Sequence, residues 1–213
     1  MNLTFVGRRE EIRRFKQTLK YFLDSPSNIN ENPIFIIHGS VGMGKTSLLE
    51  KLYEQSQEQP FKDCFEILKL DWGKQVEHDL INSTMVLKII YEALINNEQR
   101  KEYFSNFARA LEILRSAKDK YEEAEEQQEL TDEFVEPELE EDEKDIYQKP
   151  EDFLAQALAE GINNLSQNKP LLVFFDTYEL IGQIDAEQAI REVIKKSDNQ
   201  VIWVIAGRND LTK

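Results

Sequence analysis

The sequence predicts an α/β fold with a mostly parallel sheet, on two observations. Short apolar runs at 34–38, 65–71, 170–176 and 200–207 have strand length, and stretches with helical spacing separate them. That alternation is expected of a parallel sheet with crossover helices. Between the first run and the next helix stands Gly39-Ser40-Val41-Gly42-Met43-Gly44-Lys45-Thr46. It meets G-x-x-x-x-G-K-[ST] at every fixed position, in the strand–loop–helix setting this pattern requires.

In order along the chain, Ile12, Phe15, Leu19 and Phe22 share one face of a helix over 9–24, by their spacing of three and four. A Ser-, Asn- and Pro-rich loop follows to Pro33, then the first strand, the glycine-rich loop and a helix to about Gln57. Phe65 to Asp71 alternates in part and reads as the second strand, closed by Trp72 and Gly73. Helices are expected over 79–95 (Val86, Ile90 and Ala93 or Leu94) and 98–117 (Phe104, Phe107, Leu111, Leu114), broken at Asn96-Asn97. Pro150 opens a helix to about Gln167 that buries Leu154, Leu158, Ile162 and Leu165. The wholly apolar run 171–175 is a central strand covered on both faces. A short helix over 186–195 and a last strand to Gly207 complete a single domain over 1–213. Residues 75–118 form a helical insertion in it, and 119–149 an acidic flexible segment.

The net charge of −15 is local: residues 122–145 hold 14 acidic residues against one lysine, and the remainder has 27 acidic and 25 basic. Like charges repel and bury little, so this segment is expected to be mobile. Phe134, Val135 and Tyr147 are the apolar residues that could pin it. The reading stays open between a solvated tether or loop and a partner-binding or autoinhibitory segment. A near-neutral body offers no broad basic surface for nucleic acid. No apolar run approaches the roughly 20 residues that span a bilayer, and no signal peptide stands at the N-terminus. The lone Cys64 excludes an intrachain disulfide and reads as a small core residue. A reducing, cytoplasmic location is expected.

The glycine-rich loop binds phosphate, because successive backbone N–H groups and the following helix N-terminus converge on one spot. Lys45 would reach the phosphates and the Thr46 hydroxyl would ligate Mg²⁺. A second acid at the end of a neighbouring strand should hold the metal, and Asp176 stands there; otherwise it caps the turn. Glu179 is the candidate for positioning water, or else a first-turn acid complementing a helix dipole. Arg208, after the last strand, could read the γ-phosphate or pair with Asp210 on the surface. Asp71 is a candidate supporting acid. His38 is expected to pack beneath the loop, and His78 shows no partner.

With these residues placed, the chain resembles the NTPase domain of STAND ATPases, regulatory relatives of the AAA+ proteins and of archaeal initiator-type ATPases. FVGRREEIRRF (5–15) is similar to their hhGRExE element, GSVGMGKT (39–46) matches Walker A, LLVFFDTYE (171–179) matches a Walker B strand, and VIWVIAGR (201–208) resembles the sensor strand ending in arginine. The resemblance implies a three-layer P-loop NTPase fold with strand order 2-3-4-1-5. The fifth strand would lie after Lys213, making this an N-terminal piece of a longer protein. It implies ATP or ADP with Mg²⁺, held by Thr46 and Asp176. Val6, Gly7 and Arg8 would flank the adenine or its ribose, and Gly39, Ser40, Val41, Gly42, Met43, Gly44, Lys45, Thr46 and Ser47 would surround the phosphates. Lys45, Asp176, Glu179 and Arg208 form the catalytic set. Arg9 replaces the usual Glu of the opening element, and Thr177 replaces the acid that many AAA+ proteins carry beside the Asp. The implied function is an ATP-binding regulatory switch with slow hydrolysis in a signalling or defence-type protein, assembling with itself or with protein partners through further domains. The alternatives are a non-hydrolysing, nucleotide-stabilised interaction scaffold and, against the charge balance, a DNA-loading initiator-type ATPase.

Overall fold

The computed structural model describes residues 7–24, 32–75, 81–95, 98–131, 135–181 and 184–208. The elements in order are α1 (Arg9–Asp24), β1 (Ile34–His38), α2 (Lys45–Gln57), β2 (Glu66–Asp71), α3 (Trp72–Gln75), α4 (Ser83–Leu94), α5 (Glu98–Lys101), α6 (Ser105–Thr131), α7 (Glu141–Gln148), α8 (Pro150–Ser166), β3 (Leu171–Asp176), α9 (Ile184–Lys196) and β4 (Val201–Gly207). Short 3₁₀ turns join α5 to α6 at Glu102–Phe104 and follow β3 at Tyr178–Ile181.

The four strands form one sheet, ordered β1-β4-β3-β2 and parallel throughout. This is the expected 2-3-4-1 order read from the other edge. Alternation along each strand divides the core in two. Leu171, Val173 and Phe175 of β3, with Val201, Trp203 and Ile205 of β4, face α4, α6, α8 and α9. Leu172 and Phe174, with Ile202, Val204 and Ala206, face Phe15, Leu19 and Phe22 of α1 and Leu48, Leu49 and Leu52 of α2. Every residue of β3 and β4 is buried, because these central strands are covered on both sides. The helical spacings expected along α1, α4 and α8 put the named apolar residues inward, with Ile12 partly buried. Cys64 is half-buried against the α1–α2 side of the core.

Among the described residues of 119–149, helices stand where a flexible segment was expected. Helix α6 continues to Thr131, and α7 forms from Glu141 to Gln148. Composition favours this locally, since Glu, Gln, Lys and Ala are strong helix formers. Docking then offsets the repulsion. Glu143 is buried and accepts from Lys120 Nζ at 2.6 Å and from the Ser116 hydroxyl at 2.8 Å. Its other bonds complete a capping box with Glu140 at the start of α7. Ile146 is buried, and the Tyr147 ring stacks on Tyr121 at 4.4 Å. Tyr147 is therefore the pin; Val135 is exposed, and Phe134 lies outside the described residues. His38 is also corrected. It is exposed, being the last residue of β1, which is an edge strand among the described residues.

Candidate functional site

The chain leaves β1 at His38 and must turn sharply to start α2 at Lys45. Gly42 (φ 81°) and Gly44 (φ 75°) take left-handed backbone, which glycine adopts without steric cost. Gly44 is the N-cap of α2 and supplies no side-chain cap, and the first turn holds no acidic residue. The first-turn N–H groups and the positive dipole end of α2 therefore face the loop without an internal anion, an arrangement suited to phosphate. The Lys45 ammonium donates to the carbonyls of Gly39 (2.8 Å) and Ser40 (3.1 Å), which tie it along the loop.

Because β4 and β3 lie in sequence beside β1, their carboxyl ends open on the same edge. Asp176, last in β3, is only 5% exposed. It accepts from the Thr46 hydroxyl at 3.2 Å and from the Thr177 N–H at 2.9 Å. Burial pushes its carboxyl above the ordinary value; the negative charges of Asp71 and Glu50 add to this, and those two hydrogen bonds oppose it only in part. Asp71 lies opposite Asp176 in the β2–β3 register. Burial would raise it too, but Lys74, the Thr177 hydroxyl (3.1 Å) and the Gly73 N–H (3.1 Å) together outweigh burial and hold it below the usual range. Thr177 thus links the two acids. It does so at φ 55°, an uncommon conformation for a β-branched residue and one that concentrates at functional sites.

Glu179 sits on the 3₁₀ turn after β3, and Arg208 follows β4. They meet through two contacts: Arg208 Nε to Glu179 Oε1 at 2.9 Å, and the Arg208 main-chain N–H to Glu179 Oε2 at 3.1 Å. The sequence offered Asp210 as the partner of Arg208; Glu179 takes that place, and Asp210 lies outside the described residues. A cavity of about 380 Å³ gathers these groups. It is lined by Val41, Gly42, Gly44, Lys45, Thr46, Ser47, Asp176, Thr177, Glu179 and Arg208. Gly39 and Ser40 contribute through Lys45, while Met43 is exposed.

Of the opening element, neither Gly7 nor Arg8 lines this cavity. Gly7 and Arg8 lead into α1, whose buried face packs in the core shared with α2, and Arg8 pairs with Glu11 at 2.9 Å. Val6 and His78 lie outside the described residues. Thr177 is the cavity residue whose conformation the sequence did not announce; its place directly after Asp176 was the one available signal.

The Thr46 hydroxyl and the Asp176 carboxylate form a hard-oxygen donor pair. Mg²⁺ takes one or two such protein ligands and fills its shell with phosphate and water. One hydroxyl and one carboxylate fit a phosphate-associated cation rather than an all-protein cage.

The family model described as AAA ATPase domain matches residues 4–204. The chain belongs to that family. As an AAA ATPase domain it is a nucleotide-binding P-loop ATPase, of a family that generally binds ATP or ADP with Mg²⁺. No curated protein matches the chain. No helix among the described residues is long and apolar enough to cross a membrane.

Proposed function

We propose that this AAA ATPase domain is a nucleotide-dependent switch of the STAND type, with slow hydrolysis, acting within a larger signalling or defence-type protein. The observation that carries the reading is one cavity lined together by Lys45, Thr46, Asp176, Glu179 and Arg208, at an uncapped helix N-terminus. Lys45 and the loop N–H groups hold the phosphates. Thr46 and Asp176 hold Mg²⁺, which supplies charge neutralisation to the phosphate oxygens. By resemblance, Val6, Gly7 and Arg8 flank the adenine or its ribose. Glu179 orients the water that attacks the γ-phosphorus; the bond to the bridging oxygen breaks, and the water proton passes to solvent through the carboxylate. Thr177 in place of an acid supports slow turnover. Arg208 senses the terminal phosphate, and its position at the exit of β4 couples the site to whatever follows.

Calorimetric titration with ATP and with ADP in Mg²⁺ tests this. Saturable binding should be lost in Lys45→Ala; a variant that binds as tightly as the parent would end the proposal. The engagement of both Glu179 oxygens by Arg208 favours a second reading, a nucleotide-stabilised scaffold that recruits a protein partner through the acidic face of α6. Replacing Glu122, Glu123, Glu125 and Glu126 by Gln separates the two. Lost partner capture with unchanged nucleotide affinity and no measurable turnover supports the scaffold.

A further inference from the structure

We propose that Glu179 sets how strongly the site prefers a nucleoside triphosphate over a diphosphate, by holding Arg208 until a terminal phosphate takes the guanidinium. This rests on reading the cavity as a nucleotide site.

The two residues differ in how firmly they are placed. The Glu179 side chain is 14% exposed, and its turn is anchored by buried Tyr178 and Ile181, with the Tyr178 ring stacked over Phe175. Arg208 stands past the last residue of β4 with its side chain 59% exposed. The turn and the strand end lie in ordinary van der Waals contact: a Cβ on Gly207 would stand 3.4 Å from Tyr178 Cβ and 3.5 Å from Glu179 Oε2. Both carboxylate oxygens are used by this one partner, and among the described residues no other acid pairs with Arg208. The carboxylate is the fixed half of the pair, and the guanidinium is the half that can leave.

A carboxylate and a phosphate compete for the same guanidinium donors, because both present paired anionic oxygens. A diphosphate seated on the loop and Lys45 leaves the pair intact. A third phosphate draws Arg208 away, and its net binding is reduced by the cost of opening the pair. The same exchange frees Glu179 Oε1 to accept a hydrogen bond from water. One contact therefore couples recognition of the triphosphate to release of the carboxylate.

The test uses the parent protein, Glu179→Gln, Arg208→Ala and the double variant. Each is titrated with a β,γ-imido ATP analogue and with ADP in Mg²⁺, and each is melted to establish folding. Glutamine keeps the shape and removes the charge that holds Arg208. The preference for the analogue over ADP should rise about two- to fivefold in Glu179→Gln, the range of a partly exposed ion pair, with ADP affinity unchanged. It should collapse in Arg208→Ala, and Glu179→Gln should add nothing in that background. An unchanged or lower preference in Glu179→Gln overturns the proposal. So does a gain that persists without Arg208, which would be simple charge repulsion. Turnover of ATP by Glu179→Gln reads the water-positioning role separately: lost turnover with unchanged preference leaves that role standing and removes only the latch. If the folded parent binds neither nucleotide, the reading of the cavity falls, and the latch with it.

Discussion

Gly161 lies in the interior of α8, where a glycine ordinarily weakens a helix by about 0.8–1.0 kcal/mol relative to alanine. Helix propensity alone therefore says that Gly161→Ala should stabilise the protein. The structure reverses the sign. A Cβ at position 161 would fall 2.1 Å from Cδ1 of Phe104, 2.5 Å from Cε1 and 2.9 Å from Cγ. Carbon atoms at their best separation are about 3.5–4.0 Å apart, so the ring would have to retreat by roughly 1.5 Å. It has no room, being fully buried with Tyr91 edge-on at a centroid distance of 6.0 Å. Overpacking of this kind costs about 1–3 kcal/mol, and a clash with a rigid ring belongs at the upper end. Set against the propensity gain, a net loss of about 2 kcal/mol remains. For a domain of this size that lowers Tm by about 4–8 °C. Thermal melts by circular dichroism measure it, and Phe104→Leu in the alanine background should recover part of the loss. A Gly161→Ala protein as stable as the parent, or more so, would refute the packing between α8 and the turn before α6.

Asp176→Asn should abolish the Mg²⁺-dependent part of nucleotide affinity while raising Tm. Burial raises the Asp176 carboxyl, so its contribution favours the fold below the ordinary value and is lost as pH rises through the raised one; at neutral pH the ionised group is a cost that the amide removes. A drop in Tm would contradict this. Chelation by EDTA should weaken nucleotide binding in the parent and leave Asp176→Asn unaffected. Glu143 has the opposite sign. Lys120, the Glu140 N–H and Ser116 hold its carboxyl down at about 2. The α6–α7 clasp is therefore complete above pH 4.5 and loosens as pH falls toward about 2, where hydrogen exchange over 141–148 should accelerate. Glu143→Gln should bring that acceleration to neutral pH with no change in nucleotide affinity.

The strand–loop–helix around Lys45 was legible because its chemistry is local: one glycine-rich turn and one helix N-terminus contain the whole instruction. The same holds for the bounds of α1, whose apolar residues recur at helical spacing, and for β3, whose unbroken apolar run demands cover on both faces. Composition failed over 119–149 because it counts charge without knowing that Glu143 has Lys120 and Ser116 to meet, or that Tyr147 has Tyr121. It failed at His38 because burial there depends on which strand stands at the edge. The four strands themselves follow from pattern, but their order was supplied by resemblance and realised by the sheet. Periodicity along a chain says which face of a strand is buried and nothing about its neighbour. That is why the sequence by itself determined a phosphate-binding loop, its lysine and the class of fold. Only the tertiary structure decided that Glu179, on a turn after one strand, would hold Arg208, at the end of the next. Such a contact exists only once β3 and β4 lie side by side.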